Sequence, residues 1–232
     1  MDCNKLDAAY TDGFSYTHKN PYHDKLDKFS SFVFRDLEAE QFRGKWRSDL
    51  FHNDSVLNVE IGSGFGHFMR EYVSDHPTEN FIGMDYKFKR AFTLAAQLSK
   101  IPTKNYKYLR AKGERLAFMF DNHEIDNLFL FFPDPWPKSK QKKKRLFNDH
   151  LLTTVHPLLT STGKMFIKTD HDDYAKQMEE VIEQSHLFEV ELKTFNLRKE
   201  HPEHMLSKYI TKFEKIFIAQ NIPTKAFVIK PK

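Results

Sequence analysis

The feature that most restricts this chain is a regular alternation of short apolar runs with amphipathic stretches from Ser55 onward. Residues 56–61, 81–84, 106–110, 125–132 and 165–169 read as buried strands. Between them, Phe68, Met69, Tyr72 and Val73, then Phe88, Ala91, Phe92, Ala95 and Leu98, recur at helical spacing. Phe147, Leu151, Val155 and Leu158 predict a further helix, as do Tyr174, Met178, Val181 and Ile182. Residues 188–192 alternate as a half-exposed strand, Phe213, Ile216 and Phe217 predict a late helix, and residues 226–229 a last strand. Parallel neighbours need a crossover, and a helix is the usual one. The expected class is therefore α/β, a mostly parallel sheet with helices on both faces. Residues 29–51 are expected to be helical with a break at Gly44, and residues 1–28 to form an arm that orders only by docking. The arm is set apart from a single domain over residues 29–232.

In such sheets, ligands bind beyond the carboxyl ends of the strands. The first of these ends reads Glu60-Ile61-Gly62-Ser63-Gly64-Phe65-Gly66. Its glycines permit a tight turn and a close approach of backbone to ligand. A dinucleotide fingerprint is G-x-G-x-x-G, whereas here the third glycine comes one residue early and His67 takes its place. The crowded pattern after an acidic strand end resembles the S-adenosylmethionine loop of class I methyltransferases. In that reading Gly62, Gly64 and Gly66 shape the loop, and Glu60 meets the α-ammonium group directly or through water. A plain glycine-rich turn is the alternative. Asp85 closes the second strand, where an acid accepts from the ribose hydroxyls of a nucleoside. That position suits NAD equally, and capping the helix that follows is its structural alternative.

The fourth strand ends in Phe131-Phe132-Pro133-Asp134-Pro135-Trp136-Pro137-Lys138. Three prolines fix φ and restrict the residues before them, so the loop is stiff. It holds Asp134, which can accept from the edge of a base, and Trp136, which can stack on its face. Lys138, Lys140, Lys142, Lys143, Lys144 and Arg145 then crowd eight positions with no acid among them. Such a block suits an anionic partner, although a solvated helix start is the plainer reading. The net charge of +4 is too small to carry that argument alone.

The Pro-rich octapeptide, the basic run and Arg145-Leu146 resemble the signature of tRNA (guanine-N7-)-methyltransferases, and the likeness continues in Lys168-Thr169-Asp170 and Thr211-Lys212-Phe213-Glu214. The resemblance implies a seven-stranded class I (Rossmann-like) methyltransferase sheet, S-adenosylmethionine as methyl donor, and methylation of the variable-loop guanine of tRNA, guanosine 46, at N7. By position it implies cofactor contacts at Glu60, Gly62, Gly64, Gly66, Asp85, Lys112 and Asp134, with Asp134 also catalytic. It implies substrate contacts at Lys138, Asp170, Thr211, Lys212, Phe213 and Glu214. Lys112 departs from the family, which has an acid or amide there; an ammonium group cannot accept from adenine. An NAD oxidoreductase and a non-catalytic RNA-binding module are the rival readings; the glycine spacing opposes the first and the retained acids the second. Cys3 is the single cysteine, so neither an intramolecular disulfide nor a thiolate zinc site is expected, and no metal. The absence of a long apolar run predicts no membrane span, and a cytoplasmic location is expected, as a monomer or homodimer without an obligatory partner subunit.

Overall fold

The computed structural model describes residues 20–232. Its sheet has eight strands: β1 (Val33–Arg35), β2 (Leu57–Ile61), β3 (Asn80–Met84), β4 (Tyr106–Arg110), β5 (Ile125–Phe131), β6 (Leu159–Thr169), β7 (Phe188–Thr194) and β8 (Lys225–Pro231). They lie in the order β1-β4-β3-β2-β5-β6-β8-β7. The first six pair in parallel, whereas β8 runs antiparallel to both β6 and β7. The chain reverses direction across the sheet between β2 and β5, which opens a crevice above their carboxyl ends. Five helices of eight residues or more follow the strands among the described residues: α1 (His67–Asp75), α2 (Phe88–Leu98), α3 (Asp149–Leu158), α4 (Asp172–Ser185) and α5 (Lys212–Ala219). No helix among the described residues is long and apolar enough to cross a membrane.

Alternation along the central strands separates two cores. Leu128 and Leu130 of β5 face one side with α3 and α4, and Phe129 and Phe131 face the other with α1 and α2. Phenylalanines contribute to both cores, and on the second side they reach the crevice. There Phe68 of α1 lies 4.9 Å from the Phe129 ring and 4.8 Å from the Phe131 ring. These edge-to-face contacts carry the apolar layer up to the crevice.

The expected seven-stranded sheet is present, extended by one strand. Residues 33–35, expected to be helical, form the edge strand β1 beside β4. Three residues are too few to show a period, and the pairing depends on a partner more than seventy residues away. Asp36, at φ 38°, ends it. The described end of the N-terminal arm docks on α2, with Tyr22 5.6 Å from Phe92 and His23 5.6 Å from Phe88. The rest of the arm, with Cys3, lies outside the described residues.

Candidate active site

The turn after β2 is stitched to the end of β3. Gly62 and Ser63 both donate to the Met84 carbonyl, at 2.8 and 2.9 Å. Gly62, Gly64 and Gly66 all have positive φ, at 79°, 56° and 67°, which favours residues without Cβ. The reasons differ between them. No atom lies within 4 Å of where a Cβ on Gly62 would stand, so its backbone faces open space. A Cβ on Gly66 would overlap the Leu94 side chain, so Gly66 allows α1 to pack on α2.

Above this turn is a cavity of about 440 Å³. Glu60, Gly62 and Gly64 form its floor, Phe131 to Pro135 one wall, and Thr211, Lys212 and Phe213 with Asp170 another. Segments far apart in sequence thus meet at one mouth. Glu60 is buried, and its Oε2 accepts no hydrogen bond. Burial, aided by the neighbouring Asp85 carboxylate, pushes its pKa up to about 8. Asp134 is exposed at the mouth, and among the described residues its carboxylate has neither hydrogen bond nor ion pair. Burial also raises the pKa of Asp170.

The Pro-rich wall carries strain that no sequence pattern marks. Phe132 and Trp136 both precede proline, and both have positive φ, at 53° and 41°. Such residues persist only where the surroundings hold them. The Phe132 N–H donates to the Lys168 carbonyl at 2.8 Å, and Arg145 holds the Trp136 end. It is buried, its Nε donates to the Pro135 carbonyl at 2.7 Å, and Nη2 meets Asp173 at 2.6 Å. Its guanidinium also bonds Gln177 and lies 4.6 Å over the Tyr174 ring. The basic run is a 3-10 turn, Ser139–Lys144, and part of it is committed within the protein. Lys142 pairs with Asp173 at 2.8 Å, and Lys144 lies 4.9 Å over the Trp136 ring. Trp136 does not line the cavity.

The second wall is held by a buried ion pair. Lys168 on β6 donates to Glu214 at 2.6 Å and to the carbonyls of Leu206 and Tyr209 at 3.1 and 2.8 Å. Glu214 also meets Arg198 at 2.8 Å. Both Lys168 and Glu214 side chains are 0% exposed, and Glu214 does not line the cavity. Its part is to anchor α5, whose N-cap Thr211 accepts from the Glu214 backbone N–H at 3.2 Å. That places Thr211, Lys212 and Phe213 at the mouth, with Phe213 58% exposed.

Four other expected residues also lie off the cavity lining: Gly66, Asp85, Lys112 and Lys138. Asp85 stands behind Arg90, which lines the cavity and meets the carboxylate at 3.3 Å. Its other contacts are the N–H groups of Gly64, at 3.2 Å, and Lys87, at 2.8 Å. Asp85 thus ties the glycine turn to the residue before α2 without capping the helix itself. Lys112 precedes the 3-10 turn Gly113–Arg115, and Lys138 is the exposed residue before the basic turn. Arg90 has no sequence signal, and the signature stretches that contain Arg145 and Lys168 do not show their structural roles, because each is defined by its partner across the fold.

A family model described as "Putative methyltransferase" matches residues 54–226. A tRNA (guanine-N(7)-)-methyltransferase of Exiguobacterium sp. is 31% identical over 195 residues, covering 83% of this chain and 88% of that protein. A bifunctional glycosyltransferase/methyltransferase of Fusobacterium nucleatum is 32% identical over 200 residues, covering 86% of this chain, which spans 30% of that longer protein. Among solved structures, a 16S rRNA methyltransferase, KamB, superposes with a TM-score of 0.59 at 14% identity, covering 86% of this chain and 95% of that one. That likeness concerns the fold alone.

Proposed function

The chain belongs to the tRNA (guanine-N7-)-methyltransferase family, and from that premise we propose that it methylates N7 of the variable-loop guanine of tRNA, guanosine 46. The observation that carries this reading is the convergence of Glu60, Asp134, Asp170 and the 211–213 segment on one cavity. The cavity fits S-adenosylmethionine. Glu60 offers a buried carboxylate oxygen without a hydrogen-bond partner, which suits the α-ammonium group, and the Gly62 backbone leaves room beside it. Asp85 is the acceptor for ribose hydroxyls once Arg90 turns aside, and Arg90 is partly solvent-exposed and free to do so. When bound, this group supplies a methyl on a positively charged sulfur.

The acceptor N7 has a lone pair and no proton, so no side chain needs to act as a base. The residues instead position and stabilise. Asp134 orients the base and offsets the positive charge that develops on it. Phe213 and Phe65, both exposed at the mouth, give the extruded base apolar faces to stack on. Asp170, Thr211 and Lys212 grip the nucleotide from the second wall, and Lys138 with the free lysines of the basic turn attracts phosphates.

The test is incubation of the full chain with unmodified bulk tRNA and methyl-labelled S-adenosylmethionine, followed by mapping of the modified nucleotide. The expected product is 7-methylguanosine at position 46. Label at another atom or position, or none in tRNA, overturns the assignment.

A further inference from the structure

A groove across α1 and α2 lies beside the cavity mouth. A hollow of about 430 Å³ shares Phe65, His67 and Lys212 with the cavity and adds Gln97 and Lys215. A second hollow, about 550 Å³, shares Gln97 with the first and extends to Arg70, Lys208 and Tyr209. The shared residues place the three spaces side by side along α1, α2 and α5.

This groove is basic in a way the linear sequence hides. Arg70 comes from α1 and Lys212 and Lys215 from α5, yet all three act on one point. After burial, they are the next causes that lower the pKa of His67. None of the three forms an ion pair among the described residues; Arg70 makes only a 3.2 Å bond from Nε to the Gly66 carbonyl. Of the acids along the groove, Asp75 is neutralised by Lys208 at 2.7 Å, which leaves Glu71 to oppose three cations. At the junction of the two hollows, Gln97 Oε1 is buried and accepts no hydrogen bond. An amide oxygen there suits a hydroxyl donor.

A base drawn out of its stack into the cavity leaves its sugar and phosphates at the mouth. We propose that this groove carries the RNA backbone on one side of the target nucleotide, with Arg70 and Lys215 on phosphates and Gln97 on a ribose 2′-hydroxyl. The proposal rests on the tRNA-methylating reading and adds to it a track outside the cavity. Charge complementarity and adjacency to the mouth both favour RNA as the occupant.

The test compares wild type with Lys215→Gln and with Arg70→Gln/Lys215→Gln, using bulk tRNA. The log–log salt dependence of tRNA binding should flatten by about 0.7–0.9 for each phosphate that the variant no longer neutralises. The KM for tRNA should rise about tenfold in the double variant, with kcat and S-adenosylmethionine affinity unchanged, since an interaction made equally in ground and transition states acts on KM alone. If Arg70→Gln disturbs the glycine turn, seen as weaker S-adenosylmethionine binding, Lys215→Gln still decides. An unchanged salt slope and KM, in variants of an enzyme that methylates tRNA, overturns the groove. A wild type that binds tRNA with the predicted slopes but transfers no methyl group overturns the methylation reading and leaves the groove standing.

Discussion

The two walls of the cavity are each pinned by one buried cation, yet the pins are built differently. Arg145 holds the Pro-rich wall, and its counter-ion Asp173 is half exposed to solvent. Lys168 holds the α5 wall, and its counter-ion Glu214 is as buried as Lys168 itself. An ion pair with one partner in water is screened and can rehydrate when broken. A pair desolvated on both sides cannot, and Glu214 without Lys168 keeps only the partly exposed Arg198 as counter-ion. The first wall should therefore lose its position before the protein loses its fold, and the second should lose both together.

The largest effect expected from this contrast is on stability. Lys168→Met should cost about 3–5 kcal/mol, because it leaves Glu214 buried beside Arg198 alone. Lys168→Met/Glu214→Met should recover much of that loss. Urea unfolding midpoints at constant m-value measure both. A single variant within 1 kcal/mol of wild type would mean that the pair is solvated after all, a threshold set by the surface-pair range of about 0–1 kcal/mol.

Next in size is Asp134, the chemical residue of the first wall. Asp134→Ala should slow single-turnover methyl transfer by about 10²–10³ while the protein stays folded. Asp134→Asn should fall between, since its amide still accepts a hydrogen bond without charge. An Ala variant with a near wild-type rate removes Asp134 from the mechanism.

Arg145→Met should cost about 1.5–3 kcal/mol of stability, the range for hydrogen bonds to charged groups, and so less than Lys168→Met. Its kcat should fall while S-adenosylmethionine affinity holds, because Glu60 and the glycine turn do not depend on the Pro-rich wall. Arg145→Lys should restore less than the full rate, since one ammonium cannot reproduce the forked donation to Pro135, Gln177 and Asp173. Full kcat in Arg145→Met would show that the strained loop holds itself.

The smallest effect is a proton, and it belongs to the floor that both walls share. Glu60 has its pKa raised from 4.5 to about 8 by burial. The folded protein therefore holds this proton more tightly than the unfolded chain. Its contribution to stability is full below pH 4.5, declines as the pH rises and is lost above about 8. Binding a cationic ammonium group requires the carboxylate, so S-adenosylmethionine affinity should rise with pH over that window and binding near neutrality should release most of a proton. Calorimetry in buffers of different ionisation enthalpy detects it. Equal apparent enthalpies in all buffers, for wild type and Glu60→Gln alike, would exclude the coupling.

Much of the fold and part of the site are legible in the sequence. The strand–helix alternation leads to the sheet because period and burial are local properties. The Gly-rich turn and Pro-rich loop are legible for the same reason, since glycine and proline act on their own φ. Residues whose meaning depends on a distant partner are not. Glu214 reads as a ligand contact until Lys168 stands beside it, and the basic run reads as uniformly free until Asp173 and Trp136 are placed against it. Gly66 matches a cofactor pattern, but its lack of a side chain answers to Leu94.

The class of sheet, the glycine turn after β2, the stiff loop carrying Asp134 and the family are written in the order of residues, because each lies within a short contiguous stretch. Which acids face the cavity depends on the packing of distant segments, with Glu60 and Asp134 in its lining and Glu214 buried behind it. That packing alone assembles Arg70, Lys212 and Lys215 into one groove. Availability and charge density depend on what surrounds a side chain in three dimensions, and folding brings those surroundings from segments more than a hundred residues apart.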